Sequence, residues 1–283
     1  MGEPWRATDA WSVVTAISEV SGHDLEDLLV HTDDDALRRT DRAQIATFAL
    51  EMVVLERYRA HDGADAHVAA AAGHSLGEYS ALVAAGILDL GTATRLVAAR
   101  GTAMLAAAVA VPGTMIAVIG APAADVTGVL EPLQDAGTQI WTANFNAPDQ
   151  TVLAGDHDGI ERATEALSGT GRIVALPVGG AFHSPLMAPA EAPLRAALAS
   201  AEFREGTMPV VANVDAQPHT GGSGWVERLV CQLTAPVRWT DSVLALTGGL
   251  ACGEFVEIGP GNTLSNLVKR IARGTPTTRV AAP

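Results

Sequence analysis

Aromatic residues, lysine and cysteine are scarce in this 283-residue chain. Phe, Trp and Tyr together make up 4%, Lys269 is the single lysine, and the cysteines are Cys231 and Cys252. Two cysteines make no disulfide framework, and neither stands in a CxxC or Cys/His metal spacing. Positive charge is also short. Eighteen Lys and Arg face thirty-two Asp and Glu, for a net charge of −14. That balance speaks against general binding to nucleic acid or to an anionic membrane. The first ten residues lack the basic-then-apolar layout of a signal peptide, and no apolar run approaches the ~18 residues of a membrane span. A cytoplasmic location is the default expectation.

What the chain has is small and apolar. Hydrophobic residues make up 48%, alongside 28 glycines. This is enough for a large core, in one bilobed domain or two close-packed ones. The first sixty residues read as helices. Thr8 or Asp9 can cap one with Trp11, Val14, Ile17 and Val20 on a single face, ending at Gly22. Leu25, Leu28 and Leu29 suggest a short second helix. Thr40 or Asp41 can cap a longer one with Ile45, Phe48, Ala49 and Met52 as its stripe. Residues 67–73 read as a buried strand, 76–86 and 91–108 as helices.

Between 112 and 178 the pattern becomes strand (114–120), helix (123–136), strand (140–145), strand (150–154), helix (157–168), strand (172–178). That β-α-β-β-α-β order is ferredoxin-like. It predicts a small subdomain, 112–178, inserted between 1–111 and 179–283. Those two segments form a large α/β-hydrolase-like subdomain. The latter segment reads as helix 188–203, strand 209–214, helices 223–233 and 239–248, strand 254–259 and helix 262–273, followed by a loose tail.

Gly73-His74-Ser75-Leu76-Gly77 fits G-x-S-x-G between the apolar strand and the Ala/Leu-rich helix, the context of a nucleophile elbow. Such a turn frees the Ser75 hydroxyl and points the Leu76 amide into the same space, where it can hold a developing oxyanion. The same five positions also match by chance in unrelated chains. A serine nucleophile needs a base. Among the eight histidines, His183 is the best placed, on a loop after a predicted strand; an ordinary loop histidine is the alternative. Arg100 shares the face Leu96–Arg100–Met104. An arginine on an apolar face wants a partner, either a bound carboxylate or an internal Asp or Glu.

The string GHSLGEYSALVAAGILDL (73–90) resembles malonyl-CoA:acyl-carrier-protein transacylases and the acyltransferase domains of polyketide synthases. NFNAPDQTVLAG (144–155), GGAFHSPLMAPA (179–190), LVCQLTAPVRW (229–239) and VEIGPGNTLSNLVKR (256–270) extend the likeness over roughly residues 10–273. The resemblance implies a ping-pong acyltransferase in which Ser75 takes malonyl from coenzyme A and passes it to the phosphopantetheine thiol of an acyl carrier protein, in fatty-acid or polyketide synthesis. It implies no bound cofactor and no metal. It maps His183 onto the family's catalytic histidine, Arg100 onto its carboxylate-binding arginine, and Gln232 onto the residue whose main-chain carbonyl orients the histidine. On that mapping the identity of Gln232 matters little. Leu76 stands where methylmalonyl domains carry Gln, and Ala181-Phe182-His183 replaces their Tyr-Ala-Ser-His. A bulky Phe182 beside the base fills the space of an α-methyl, so malonyl is the expected extender.

The family usually opens with a strand and a Gly-Gln-Gly-Ser-Gln turn that supplies a second oxyanion amide, and no such string occurs here. Three strands for the large subdomain (67–73, 209–214, 254–259) are correspondingly few. Two other functions share these residues: a serine hydrolase or editing thioesterase, and a non-catalytic docking module. Carrier proteins are acidic, so the basic cluster Lys269, Arg270 and Arg273 is the expected docking face, although a helix C-terminus also favours such charges.

Overall fold

The computed structural model describes residues 1–61 and 67–280. Helix α1 (Ser12–Ser21) stops at Gly22, whose φ of 71° ends the helix in the left-handed region that glycine adopts cheaply. Val14 and Ile17 are buried as the stripe requires, but Val20, on the last turn, is 40% exposed. Helix α2 (Asp34–Leu37) is capped by Asp33, whose side chain accepts the Ala36 amide. Helix α3 (Thr40–Ala60) buries Leu50, Val53 and Val54 as well as the expected stripe, because it is covered on several sides.

Strand β1 (Ala71–Ala72) leads into α4 (Gly77–Ala84) and α5 (Leu90–Ala110). Asp89 caps α5 by accepting the Thr92 amide. The expected strand 67–73 is shortened to two ladder residues, and Val68 is 43% exposed. Among the described residues β1 pairs on one side only, parallel to β6 (Val210–Val211).

The middle of the chain follows its pattern closely: β2 (Thr114–Ile119), α6 (Ala123–Asp135), β3 (Ile140–Ala147), β4 (Gln150–Gly155), α7 (His157–Ala166) and β5 (Arg172–Ala175). The sheet order is β3-β4-β2-β5, with every neighbour antiparallel. Alternate residues face opposite cores. Ile116 and Val118 pack with Val126, Leu130 and Ile160 under the helices. Met115 and Ala117 face Ala181, Phe182 and Leu186. The second face of this sheet therefore supports the loop that carries His183.

The chain continues through α8 (Glu191–Ala199), β6, β7 (Pro218–His219), α9 (Trp225–Cys231), α10 (Trp239–Leu244), β8 (Phe255–Glu257), α11 (Thr263–Ile271) and β9 (Thr277–Arg279). The architecture is mixed α/β. The tail expected to be loose instead forms β9, parallel to β8, where its β-branched threonines suit a strand. Arg270 Nη2 donates to Asp149 Oδ1 at 2.6 Å and Nη1 to Gln150 Oε1 at 2.7 Å. Arg270 thus ties α11 to the β3–β4 turn, while Lys269 and Arg273 of the same basic cluster are exposed. Among the described residues no helix is long and apolar enough to cross a membrane.

Candidate active site

Ser75 sits between β1 and α4 with φ 53°, a strained value for a non-glycine residue. Two features enforce it. A Cβ on Gly73 would lie 1.9 Å from the Gly77 carbonyl oxygen, so only glycine permits the strand and helix to approach this closely. Asn213, just beyond β6, then grips the turn from both sides: its Oδ1 accepts the Ser75 amide at 2.7 Å and its Nδ2 donates to Gly73 O at 2.7 Å. The Leu76 amide, at the start of α4, is bonded to no acceptor among the described residues. It remains available to an incoming oxygen.

His183 also has positive φ, 58°, and is 4% exposed. Its Nε2 lies 2.7 Å from Ser75 Oγ and its Nδ1 2.7 Å from the main-chain oxygen of Gln232. A carbonyl can only accept, so Nδ1 carries the proton and Nε2 is left as the acceptor facing the hydroxyl. Burial, and then the nearby Arg100 cation, push the imidazole down to about 3. The ring is neutral at physiological pH.

Arg100 is 1% exposed on the inward face of α5. Its partners are not the Asp or Glu of an internal salt bridge. Nη1 donates to Gln44 Oε1 at 2.6 Å; Nη2 donates to Gln232 Oε1 at 2.9 Å and to Ser75 Oγ at 3.1 Å. Its Nε has no partner among the described residues. Arg95, one turn earlier, is exposed.

Gln232 does more than its backbone. Its Nε2 donates to Ser75 O at 3.0 Å and to Glu78 Oε2, while its Oε1 holds Arg100. The expectation that its identity matters little is therefore wrong, since a buried amide that satisfies three groups cannot be replaced without leaving them unpaired. Glu78 is fully buried, and its Oε1 accepts the Asn213 amide at 2.7 Å. Burial pushes its carboxyl up to about 8, against the pull of Asn213, Gln232 and Arg100.

Arg100 and Ser75 share a cavity of about 290 Å³, which Leu76, Phe182, Gln44 and Met104 also line. His74 forms the wall between it and a second cavity of about 210 Å³ bordered by Glu51, Asn146 and Glu257. His74 Nε2 is 2.8 Å from Asn146 Oδ1. The structure thus brings Ser75, Leu76, His183, Gln232, Arg100 and Phe182 into one place. Sequence reasoning missed Asn213, Glu78 and Gln44. Glu78 alone left a signal, an acid three residues after the serine, on a helix with little other charge.

A hydroxyl within reach of both a neutral imidazole and a buried guanidinium suits acyl chemistry on a carboxylated group. A model of the acyl transferase domain matches residues 5–281. The chain belongs to the acyl transferase domain family. Among similar members, the malonyl CoA-acyl carrier protein transacylase of Escherichia coli strain K12 is 40% identical over 90% of this chain and 82% of its own length. The crystal structure of the Mycobacterium tuberculosis enzyme MCAT superposes with a TM-score of 0.92 at 33% identity, covering 100% of this chain and 92% of that one. A malonyl-transacylase solved in complex with its type II PKS acyl-carrier protein gives a TM-score of 0.89 at 34% identity, covering 97% and 88%. Acyl transferase domains of this kind are enzymes, and this chain is one of them.

Proposed function

We propose that the chain transfers malonyl from coenzyme A to the phosphopantetheine thiol of an acyl carrier protein through an ester on Ser75. The observation that carries this reading is the row Ser75 Oγ, His183 and Gln232 O, with Arg100 beside the same hydroxyl. His183 Nε2 takes the Ser75 proton as Oγ attacks the thioester carbonyl. The oxyanion forms against the Leu76 amide and the positive end of α4. Collapse expels the coenzyme A thiolate, which receives the proton from His183. In the second half a carrier thiol gives its proton to His183 and attacks the ester, restoring Ser75. Arg100 holds the free carboxylate of the acyl group in a bidentate pair. Phe182 in the cavity wall supports malonyl over methylmalonyl, a discrimination worth roughly 1–3 kcal/mol for one methyl.

The names of the relatives support the same substrate and carrier. A neutral carbonyl as the histidine's holder supports transfer over hydrolysis, because it makes a weaker base than a buried carboxylate does. The β3-β4-β2-β5 order supports reading 112–178 as a ferredoxin-like insertion in a hydrolase-like scaffold. No membrane-spanning helix is needed, in keeping with a cytoplasmic enzyme. Incubation with malonyl-CoA should add one malonyl mass to Ser75 and none to Ser75→Ala. Thiol acceptors should discharge it far faster than water. A malonylated Ser75→Ala protein overturns the nucleophile, and discharge by water alone favours the hydrolase.

A further inference from the structure

Glu78 is a buried ionisable group that the proposed chemistry does not use. Its two oxygens accept N–H bonds from Asn213 and Gln232, and the same Gln232 amide presents its Oε1 to Arg100. A carboxyl and a guanidinium, both within the protein interior, are thus linked through a single amide, donor end to one and acceptor end to the other. A buried cation seeks compensation, and the amide lets Glu78, when ionised, supply it at one remove. The Arg100 edge that faces Gln232 also faces the Ser75 hydroxyl and the acyl cavity. An acyl carboxylate on that edge therefore meets Glu78 as a rival of like charge.

We propose that Glu78 and the acyl carboxylate compete for Arg100, so that Glu78 must carry a proton for a carboxylated acyl group to bind at full strength. Protonation turns one Glu78 oxygen from acceptor to donor, which loosens its hold on the Gln232 amide and frees Arg100 Nη2 for the substrate. The other groups around Glu78 set the balance. Arg100 on α5 favours its ionised form, Asp215 beyond β6 disfavours it, and burial disfavours it most. Tyr79 on α4 keeps its proton, its own ionisation being raised by burial. The neutral carboxyl, about 8 in the empty site, prevails at neutral pH and gives way above it. Glu78 is a positioning residue here, acting on substrate through Gln232 and Arg100. The inference rests on Arg100 receiving the acyl carboxylate.

The test is direct binding to Ser75→Ala protein, which cannot be acylated, with malonyl-CoA and acetyl-CoA between pH 6.5 and 9.5. The two ligands carry the same coenzyme phosphates, so their titration cancels in the comparison. Malonyl-CoA Kd should rise toward about tenfold per pH unit above about 8, while acetyl-CoA Kd stays flat. Adding Glu78→Gln should flatten the malonyl profile. A flat malonyl profile with Glu78 intact, an equal slope for acetyl-CoA, or a slope that survives in folded Glu78→Gln overturns the proposal. Should Glu78→Gln fail to fold, calorimetry of the Glu78-containing protein in two buffers at pH 8.5 decides. Proton uptake with malonyl-CoA and none with acetyl-CoA supports the competition, and no uptake with either removes it. Malonyl-CoA binding no tighter than acetyl-CoA at pH 7 overturns the reading of Arg100 as well, an outcome distinct from a tight but pH-independent malonyl site.

Discussion

The two sheets that flank the candidate active site are built on opposite terms. Between β2 and β4 six residue pairs run in unbroken antiparallel register, whereas β1 and β6, whose ends lead to Ser75 and Asn213, share two parallel pairs. The longer ladder carries none of the proposed chemistry; it backs the His183 loop. The shorter ladder carries Ser75, and what it lacks in hydrogen-bonded length is supplied by the side chains of Asn213, Gln232 and Glu78, which tie its end to α4 and α9. Geometry at the serine is thus set by a polar network, and geometry behind the histidine by a sheet. The first should fail in rate, the second in stability.

The largest effect should come from Arg100, where the polar network meets the cavity that the proposed acyl group would occupy. Arg100→Ala should lower malonyl transfer by two or more orders of magnitude, consistent with roughly 1.4 kcal/mol per tenfold for a lost buried charge contact. It should leave acetyl transfer equal or raised, since the emptied site no longer rewards a carboxylate. Parallel kinetics with the two thioesters read this out, and equal losses for both would make Arg100 a structural residue.

A matched pair of variants sharpens the contrast between the sheets. Asn213→Ala leaves the Ser75 amide and the Gly73 carbonyl unpaired, at about 1–3 kcal/mol for each buried group. Ile116→Ala, on the helix-facing side of β2, should cost a similar 2–5 kcal/mol by creating a cavity. At a temperature where both remain folded, only Asn213→Ala should slow Ser75 acylation, by about tenfold or more, because only there can the strained φ relax. Equal acylation rates would show that Gly73 alone sustains the turn.

The smallest effect belongs to Arg270, which joins α11 to the turn of the small sheet. Its side chain is 32% exposed, so Arg270→Ala should cost no more than about 1 kcal/mol, seen as a Tm lower by a few degrees. The carrier KM should be unchanged. A raised KM with unaltered Tm would return this arginine to a docking role.

The sequence discloses these regions unequally, for physical reasons. The β3–β4 hairpin and the helices around it are set by contacts between neighbours in the chain, and their boundaries could be read from residue alternation to within about three residues. Ser75 was legible because its turn demands glycines at fixed offsets, and Arg100 because a charge interrupts an apolar face. Asn213 lies 138 residues from the serine it braces, and nothing in its local pattern marks it. The side-chain role of Gln232 was hidden likewise, since its partners come from α4 and α5. Strands 67–73 and 209–214 were read too long because apolar content does not tell how many neighbours a strand finds, and at Val68, 43% exposed, it did not tell burial either. The tail was read as loose because chain ends usually are, although β8 offered it a ladder.

The acceptor that fixes His183 is a main-chain oxygen, and a main-chain oxygen has no codon. Every substitution at position 232 keeps that carbonyl and alters instead the amide that holds Arg100, so a scan of side chains reports on the wrong half of the residue. The backbone half can be reached only indirectly, by shifting the end of α9, or chemically, by replacing groups of the main chain. A substitution at 232 therefore unpairs Arg100, Glu78 and the Ser75 carbonyl while the acceptor of the imidazole stays in the chain.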